Sequence, residues 1–287
     1  MSRFLDRPAT TLITVAPTGA EQRKDEVPQL PTTPEEIAAE AAACEAVGAA
    51  MVHIHVRDAA HEPTLDLPRV REVVAAVRES SSLVVQLSTG GSVHDPMPER
   101  LRVLDAEPDS CSLTLGTVNF GDDVFMNPWG FVVELFRESR DRGIVPEFEV
   151  FDLGQLTTLR RLLDREGLPA GGRVHVDLVM GVPGGMPGTT DALVACVAAM
   201  PEQVTSWSAT GIGRSHLPVL AASLSAGGHL RVGMEDTVVW GRGPDGPVPV
   251  ASNADLVARA AGVATTLQRP PMDVAGAREL LGLPARP

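Results

Sequence analysis

Aromatic residues are scarce in this chain of 287 residues: they make up 3% of it, and tyrosine is absent. A buried core must therefore rest on aliphatic side chains, and these are plentiful because hydrophobic residues account for 44%. The charged fraction of 21% is ordinary for a globular enzyme. No run of about 18 apolar residues occurs, so the sequence predicts no transmembrane helix.

Positive charge is also in short supply. The chain has 24 Lys and Arg against 37 Asp and Glu, which gives a net charge of −13. This argues against nucleic acid or an anionic membrane as the main partner, because both need clustered positive charge. Lys24 is the only lysine and lies in a polar stretch. Barrel aldolases that form a Schiff base need an inward lysine, so that chemistry is disfavoured.

Cysteine is limited to Cys44, Cys111 and Cys196, in apolar surroundings and without CxxC spacing. This pattern is typical of free, buried thiols in a reducing compartment. The first residues, MSRFLDRPATT, lack the apolar segment of a secretory signal. Together these features predict a cytoplasmic protein.

Short apolar runs alternate with longer helical patterns along the chain. Eight runs are predicted to be strands: 11–16, 50–56, 82–88, 110–116, 146–151, 173–180, 205–210 and 229–235. The first helix has Thr33 as N-cap, Pro34 at its first position and Glu36 completing a capping box. Further helices are predicted at 67–79, 131–142, 153–166, 189–199, 215–226, 252–268 and 274–281. We interpret the Gly/Pro-rich patches 181–188 and 241–249 as loops, and 117–145 as a long connection that begins with a loop.

The strand–helix alternation indicates parallel strands joined by crossover helices. Eight such units suit a barrel of about 250 residues. No Ser/Gly/Pro-rich linker divides the chain. We therefore predict a single α/β domain over residues 1–287, a (β/α)8 TIM barrel with extra C-terminal helices. An open doubly wound sheet is the alternative fold.

The chemistry of such a barrel takes place at the C-terminal ends of its strands. Polar residues concentrate at that end of the predicted strands, whereas residues needed only for solubility would not gather there. The candidates are Glu21, His53, His55, Ser88, Thr89, Gly90, Gly91, Ser112, Thr114, Glu147, Glu149, His175, Asp177, Arg231, Glu235 and Asp236.

The sequence His53-Ile54-His55 predicts a metal site. Residues i and i+2 of a strand share a face, so both imidazoles would point to the barrel axis. Two neutral imidazoles suit zinc, with a carboxylate as third ligand and an open position. Glu235, at the end of the last strand, is the best-placed third ligand, and Asp236 beside it could act as a base. The alternatives are two hydrogen-bonded core histidines and an acidic pair that begins a surface loop.

Two other same-face pairs occur, on the fifth and sixth strands. His175 and Asp177 could form a polar layer or supply further ligands, and we favour the polar layer. Glu147 and Glu149 also share a face, and a buried glutamate facing Arg231 would keep both groups charged. The glycines of 181–188 and 211–214 could approach an anion, although such loops are more often simple turns.

In combination, these segments resemble the β-keto acid cleavage enzymes, typified by 3-keto-5-aminohexanoate cleavage enzyme. The resemblance runs from Thr14 to about Leu283. It is carried by the segments TGAEQRKDEVPQLPTTPEEIAAEA, VHIHVRD, VVQLSTGG, LTLGTVNFGDDVFMN, PEFEVFD, LVMGVPGGMPG, ATGIGR, GGHLRVGMEDT and SNADLVARA.

The resemblance implies a zinc-dependent (β/α)8 barrel, usually a homotetramer, with acetyl-CoA as co-substrate. Such enzymes condense a β-keto acid with acetyl-CoA and release acetoacetate and a new acyl-CoA by retro-Claisen cleavage. It implies that Zn²⁺ is bound by His53, His55 and Glu235, and that Asp236 is catalytic with Arg231 and Glu149.

The resemblance also places Glu21, Ser88 and Ser112 around the substrate, where Thr89, Gly90, Gly91 and Thr114 complete the predicted binding residues. Ser112 stands where the family has threonine. Serine keeps the hydroxyl group but lacks the methyl group, so the pocket would be slightly wider. Glu21 would favour a cationic or polar substrate tail.

Two other functional classes remain as alternatives. A metal-dependent hydrolase of the amidohydrolase type also begins with HxH, but it usually adds an inward aspartate on strand 8 and often a bridging lysine. A non-catalytic metal-binding or CoA-binding module is the other, and the many acidic, hydroxyl and arginine groups at the strand ends argue against it.

Overall fold

The computed structural model describes residues 8–285. Residues 1–7, on which the prediction of no secretory signal partly rests, lie outside the described residues. None of the helices in the described part of the chain has the length and apolar character needed to cross a membrane.

Eight parallel strands close into a barrel, which confirms the predicted fold. They are β1 Ile13–Val15, β2 Met51–Ile54, β3 Val84–Leu87, β4 Ser110–Thr114, β7 Val145–Val150, β8 His175–Met180, β9 Ser206–Gly211 and β10 His229–Val232. Around the barrel the order is β1-β10-β9-β8-β7-β4-β3-β2, so each strand pairs with its neighbours among the eight and β1 closes on β10.

Nine helices surround the barrel in the described residues. They are α1 Pro34–Ala46, α2 Leu67–Ser80, α3 Met97–Arg102, α4 Trp129–Asp141, α5 Leu153–Glu166, α6 Thr190–Ala199, α7 His216–Ala226, α8 Asn253–Thr266 and α9 Val274–Leu281. All eight predicted helices are present, and the capping box of α1 forms between Thr33 and Glu36. The sequence analysis missed α3, because six residues are too few to show a helical period.

Two antiparallel hairpins rise from the C-terminal side of the barrel. One pairs β5 (Val118–Phe120) with β6 (Asp123–Phe125), and the other pairs β11 (Val239–Gly243) with β12 (Gly246–Pro249). The interpretation of 241–249 as a loop, and of 117–145 as beginning with a loop, was wrong in both places. Each hairpin is a pair of strands of three to five residues, too short for a clear alternation in the sequence.

The core includes an apolar layer outside the barrel, a cluster inside its N-terminal end and a smaller cluster around Phe125 and Phe151. Outward side chains such as Val52 and Ile54 pack against the helices. Inside, Met51, Val84 and Val145 form an apolar floor that packs against α9. All three cysteines are free and buried, as predicted. The floor leaves the opposite, C-terminal end of the barrel for polar side chains.

The turn after β10 passes very close to the end of β1. A Cβ atom added to Gly233 would lie 1.9 Å from the carbonyl oxygen of Ala16, and Glu235 N donates to the same oxygen at 3.2 Å. Only glycine permits this approach. The contact fixes the direction in which the chain leaves β10 toward Glu235 and Asp236.

We expect Gly233→Ala to lower the free energy of unfolding by at least about 1–3 kcal/mol, because backbone atoms must move to admit the methyl group. Thermal and urea unfolding measure the change. The control is Gly262→Ala on the exposed face of α8, where an added Cβ meets nothing within 4 Å. That change should stabilise by about 0.5–1 kcal/mol. A Gly233→Ala protein as stable as the control would contradict the close approach.

Candidate active site

His53, His55 and Glu235 come together at the C-terminal end of the barrel. One ligand atom from each lies within 4.8 Å of the others. Glu235 Oε1 is 3.8 Å from His53 Nε2 and 3.6 Å from His55 Nε2. His53 lies in β2 and His55 directly follows that strand, both histidines face the same side as their spacing predicted, and Glu235 reaches them from the turn after β10.

Both imidazoles are neutral at neutral pH. Burial and the nearby charge of Arg231 lower the pKa of His53, and burial lowers the pKa of His55 to about 3. Gln86 Oε1 lies 2.5 Å from His53 Nδ1, while Gln86 Nε2 donates to Ser110 Oγ at 3.1 Å. Because an amide oxygen only accepts, the proton of His53 is on Nδ1, and the lone pair of Nε2 faces Glu235.

Glu235 is ionised beside these two imidazoles. Burial is the largest single effect and opposes its ionisation, but the charge and hydrogen bond of Arg231 together with the two histidines lower the pKa of Glu235 to about 2. Its Oε2 atom is buried and has no hydrogen-bond partner within residues 8–285. Three electron-pair donors therefore converge without a proton between them. Two imidazoles and a carboxylate are a donor set that fits zinc and leaves a fourth position open.

Arg231 is the centre of the remaining charged groups. Its Nη2 atom donates to Asp236 Oδ1 at 3.0 Å and also to Glu235 Oε1, while Nη1 lies 3.5 Å from Glu149 Oε1. Its side chain is only 4% exposed. One buried guanidinium thus contacts the candidate third metal ligand Glu235, the candidate base Asp236, and Glu149.

The neighbouring carboxyl groups differ in how readily they ionise. Burial raises the pKa of Asp236 to about 7 against the lowering effect of Arg231, and raises that of Glu149 to about 8. Glu149 is thus mostly protonated at neutral pH, and the expectation that a contact with Arg231 would keep it charged was wrong. Asp236 can gain or lose a proton near neutral pH, which suits a general acid or base.

A cavity of about 310 Å³ opens above this cluster. Its polar floor and rim include most of the residues that the sequence analysis selected: Glu21, His55, Ser88, Gly90, Gly91, Glu149, Arg231, Glu235 and Asp236. An apolar wall faces them, formed by Val93, Phe120, Phe125, Phe151, Val179, Val182 and Ile212. The three phenylalanine rings pack edge to face, with centroids 6.2–6.4 Å apart.

Thr89, Ser112 and Thr114 are buried and support the cavity residues from behind. Thr89 Oγ1 donates to the Ser112 carbonyl oxygen at 2.7 Å, and Ser112 Oγ accepts from Thr89 N at 3.2 Å. Thr114 Oγ1 donates to Glu149 Oε2 at 2.8 Å. Direct contact of these three side chains with a substrate stays a prediction.

Comparison with known proteins assigns the chain to a family. Residues 10–283 match the model of the family described as beta-keto acid cleavage enzyme. This chain belongs to the β-keto acid cleavage enzyme family. The resemblance inferred from its motifs is thereby confirmed.

Individual relatives support the same assignment. The 3-keto-5-aminohexanoate cleavage enzyme of Acetoanaerobium sticklandii is 35% identical over 274 residues, covering 95% of this chain and 98% of that protein. The 3-oxoadipate:acetyl-CoA acetyltransferase of Cupriavidus necator is 35% identical over 278 residues, covering 96% and 95%. The apo structure of ObcA matches at 21% identity with a TM-score of 0.74, covering 89% of this chain and 66% of the ObcA chain. At that identity, the ObcA match shows the fold alone.

A second polar layer lies deeper in the barrel of this family member. His175 Nε2 is 3.3 Å from Glu147 Oε2, and Asp177 accepts hydrogen bonds of 2.7 Å from both Ser208 and Thr210. Among the described residues, neither His175 nor Asp177 joins the group that could hold a metal. This agrees with the preference for a polar layer over further ligands.

The glycines of 181–188 and 211–214 serve loop packing. Cβ atoms added to Gly181 and Gly188 would lie 2.9 Å and 2.1 Å from Ser215 Oγ, and one added to Gly211 would lie 2.5 Å from the Ser215 carbonyl oxygen. The two loops can meet only because these residues lack side chains. Close packing explains the glycines without an anion.

Sequence reasoning missed three contributors to the site. Gln86 holds His53, and its signal was a lone polar residue within the apolar run VVQL. The phenylalanine wall comes in part from a hairpin that the sequence did not reveal. Arg100 lies in the polar segment MPERLR, yet the structure buries this arginine to 2% exposure.

We expect Asp177→Asn to change how stability depends on pH. Burial and the charge of Glu147 raise the pKa of Asp177 to about 6 from its ordinary 3.8. The contribution of Asp177 to stability therefore falls as pH rises from about 4 to about 6, because the unfolded chain ionises first. The variant should escape this loss, on the order of 1–3 kcal/mol.

Urea unfolding between pH 4 and pH 8 measures this difference. The control is Asp164→Asn on the exposed side of α5, which should follow the wild-type curve at every pH. Parallel curves for Asp177→Asn and the wild type would contradict the raised pKa of the buried carboxyl group.

Proposed function

We propose that this protein is a zinc-dependent β-keto acid cleavage enzyme. It would convert a 3-oxo acid and acetyl-CoA into acetoacetate and a new acyl-CoA. The observation that carries the proposal is the convergence of His53, His55 and Glu235 beside the Arg231–Asp236 pair, at the floor of a cavity, in a member of this family. The name of the Cupriavidus necator relative supports acetyl-CoA as co-substrate.

Atom balance identifies the carbon that must act as nucleophile. Acetoacetate consists of the acetyl group of acetyl-CoA bonded to C2 of the oxo acid, with C1 as its carboxylate. C2 must therefore attack the acetyl carbonyl carbon. CoA thiolate leaves and then attacks C3. The C2–C3 bond breaks, its electron pair stays on C2, and C2 regains a proton. One group near neutral pKa can remove the first proton and return the last.

Asp236 is the residue that we assign to this proton transfer. It lines the cavity, its carboxyl group ionises near neutral pH, and Arg231 holds it by a 3.0 Å hydrogen bond. Arg231 also presents positive charge to oxyanions that develop in a site sheltered from water, where such charge is most effective. Glu149 and Thr114 behind it fix the guanidinium in place.

The oxo acid would be held at its carboxylate and at its keto oxygen. Ser88, Gly90 and Gly91 line the cavity beside the metal group and are the candidate site for its carboxylate. Zinc bound by His53, His55 and Glu235 would supply a Lewis acid for the keto oxygen. Glu21, at the cavity rim, would contact the far end of the substrate.

We further propose a single catalytic domain that works in the cytoplasm as a homotetramer, on the resemblance drawn from the sequence. Analytical ultracentrifugation of the purified protein tests the assembly directly. The catalytic proposal does not depend on it, because every group discussed above comes from one chain.

The decisive experiment measures acetoacetate formation from acetyl-CoA and a panel of 3-oxo acids. The panel contains 3-keto-5-aminohexanoate, 3-oxohexanoate and 3-oxoadipate, whose tails are cationic, neutral and anionic. Because Glu21 lines the cavity, we expect the cationic acid to react best, and Glu21→Gln to lower its kcat/KM roughly twofold to fivefold, which is the contribution of one exposed charge contact. The neutral acid, 3-oxohexanoate, is the internal control, and its kcat/KM should not change.

The same assay separates the competing reaction class. Consumption of an oxo acid without acetyl-CoA, yielding two carboxylic acids, would indicate a hydrolase of the amidohydrolase type. Absence of acetoacetate with every acid in the panel would refute the proposed function.

Metal analysis provides an independent test of the zinc proposal. We expect about one zinc per chain, and little or none in His53→Ala or Glu235→Gln. Gln86→Leu should keep the ligands and weaken zinc binding roughly 10–100-fold, because the hydrogen bond that orients His53 is lost. Competition with a chelator measures the affinity. His229→Gln, at the floor of the barrel, is the control and should bind zinc like the wild type.

A further inference from the structure

Arg100 is a buried cation that no part of the mechanism above uses. Its three donor groups each find a neutral acceptor: Nε donates to the Thr89 carbonyl oxygen at 2.6 Å, Nη1 to that of Met126 at 2.8 Å, and Nη2 to Asn127 Oδ1 at 2.5 Å. No carboxylate lies within ion-pair distance of it anywhere between residues 8 and 285. A buried charge without a counterion is costly to the fold.

The guanidinium lies between two aromatic rings that connect it to the cavity. Its Cζ atom is 4.8 Å from the ring centroid of Phe125 and 4.5 Å from that of Phe131. Phe125 belongs to the apolar wall of the cavity. A Cβ atom added to Gly90 would lie 3.2 Å from Phe125 Cζ. Arg100 thus supports the cavity wall and the turn at Ser88–Gly91 together.

A chain of hydrogen bonds leads from Arg100 into the cavity. Arg100 holds the Thr89 carbonyl oxygen, and in a trans peptide the Gly90 N–H points the opposite way. That N–H donates to Ser88 Oγ at 3.1 Å. Ser88 Oγ is thereby used as an acceptor, and its own proton has no acceptor among the residues that the structure describes. Since Ser88 lines the cavity, that proton is available to a ligand.

We propose that Arg100 is a positioning residue for the carboxylate of the 3-oxo acid, acting through the Thr89–Gly90 peptide and the Ser88 hydroxyl. The cation polarises the peptide, the peptide polarises the hydroxyl, and each bond strengthens the next. Asp95 and Glu149 act on Arg100 from beyond ion-pair distance, and the substrate carboxylate would bring a negative charge to the other end of this chain of bonds. This inference rests on the proposed function, because it needs an anionic oxo acid in the cavity.

The test is a steady-state comparison of Arg100→Lys and Arg100→Met with the wild type, using the oxo acid that the wild type cleaves best. We expect KM for the oxo acid to rise roughly 10–100-fold, as for loss of a charge-assisted hydrogen bond. KM for acetyl-CoA and the zinc content should stay unchanged. Arg100→Lys keeps the charge, so it should raise KM for the oxo acid less than Arg100→Met does.

The matched control is Arg102→Met on the same helix. Arg102 is 56% exposed and pairs with Glu99, so its loss should leave both KM values unchanged. If the role of Arg100 were purely structural, its variants would show a raised KM for both substrates, or a lowered kcat and melting temperature with no change in either KM. Either of these results would overturn the proposal.

A double-mutant cycle tests the route through Ser88. Ser88→Ala alone should raise KM for the oxo acid, and Arg100→Lys should add little in that background, because both changes interrupt one chain. Additive effects would overturn the proposal. If the Arg100 variants fail to fold, Ser88→Ala still decides, since an unchanged KM would remove the last link. If the wild type forms no acetoacetate, the proposed function is refuted. If the wild type is active and the Arg100 variants keep its KM, only the proposal for Arg100 is refuted.

Discussion

The buried guanidinium of Arg231 is the constraint on which the rest of the site depends. Taking an arginine out of water is tolerable only when acceptors surround it, and here Glu149, Glu235 and Asp236 do so. The same charge favours the ionised form of Glu235 beside the two imidazoles. It only partly offsets the burial of the other two carboxyl groups, whose pKa values stay near or above neutrality. One cation therefore produces both a permanent anion and a neighbour that can exchange protons.

The positions of these groups follow from packing contacts at two places in the barrel, the turn after β10 and the turn after β3. Gly233 lets the chain turn over the end of β1, so that Glu235 and Asp236 point into the barrel from the last strand. On the far side, Thr89 ties the turn after β3 to β4, and Arg100 ties it to the β5–β6 hairpin. Polar groups at the strand ends are thus held by elements that themselves lie outside the cavity. Such preorganisation lets charged groups act without rearranging during the reaction.

The sequence predicted what depends on local periodicity and failed where contacts are distant. Eight strands, eight helices and the inward faces of His53 and His55 follow from periods of two and 3.6 residues. The pairing of Glu235 with the histidines was accessible because a closed barrel brings its last strand next to its first. The burial of Arg100 was not, since its hydrogen-bond partners Thr89, Met126 and Asn127 lie in the turn after β3 and in the segment after β6, which are distant in the sequence from one another. The protonation of Glu149 was mispredicted because the balance between desolvation and attraction depends on distances that a sequence does not contain.

The apolar floor of the barrel has a consequence for the order of events. Met51, Val84 and Val145 pack against α9 and close the N-terminal end of the barrel, so the cavity opens on the C-terminal side. Two substrates and two products would have to share that opening. A small oxo acid seated beside the metal group would be sealed in once the long thioester arm occupied the space above it. In the proposed reaction, the molecule that lies deepest would enter first and leave last.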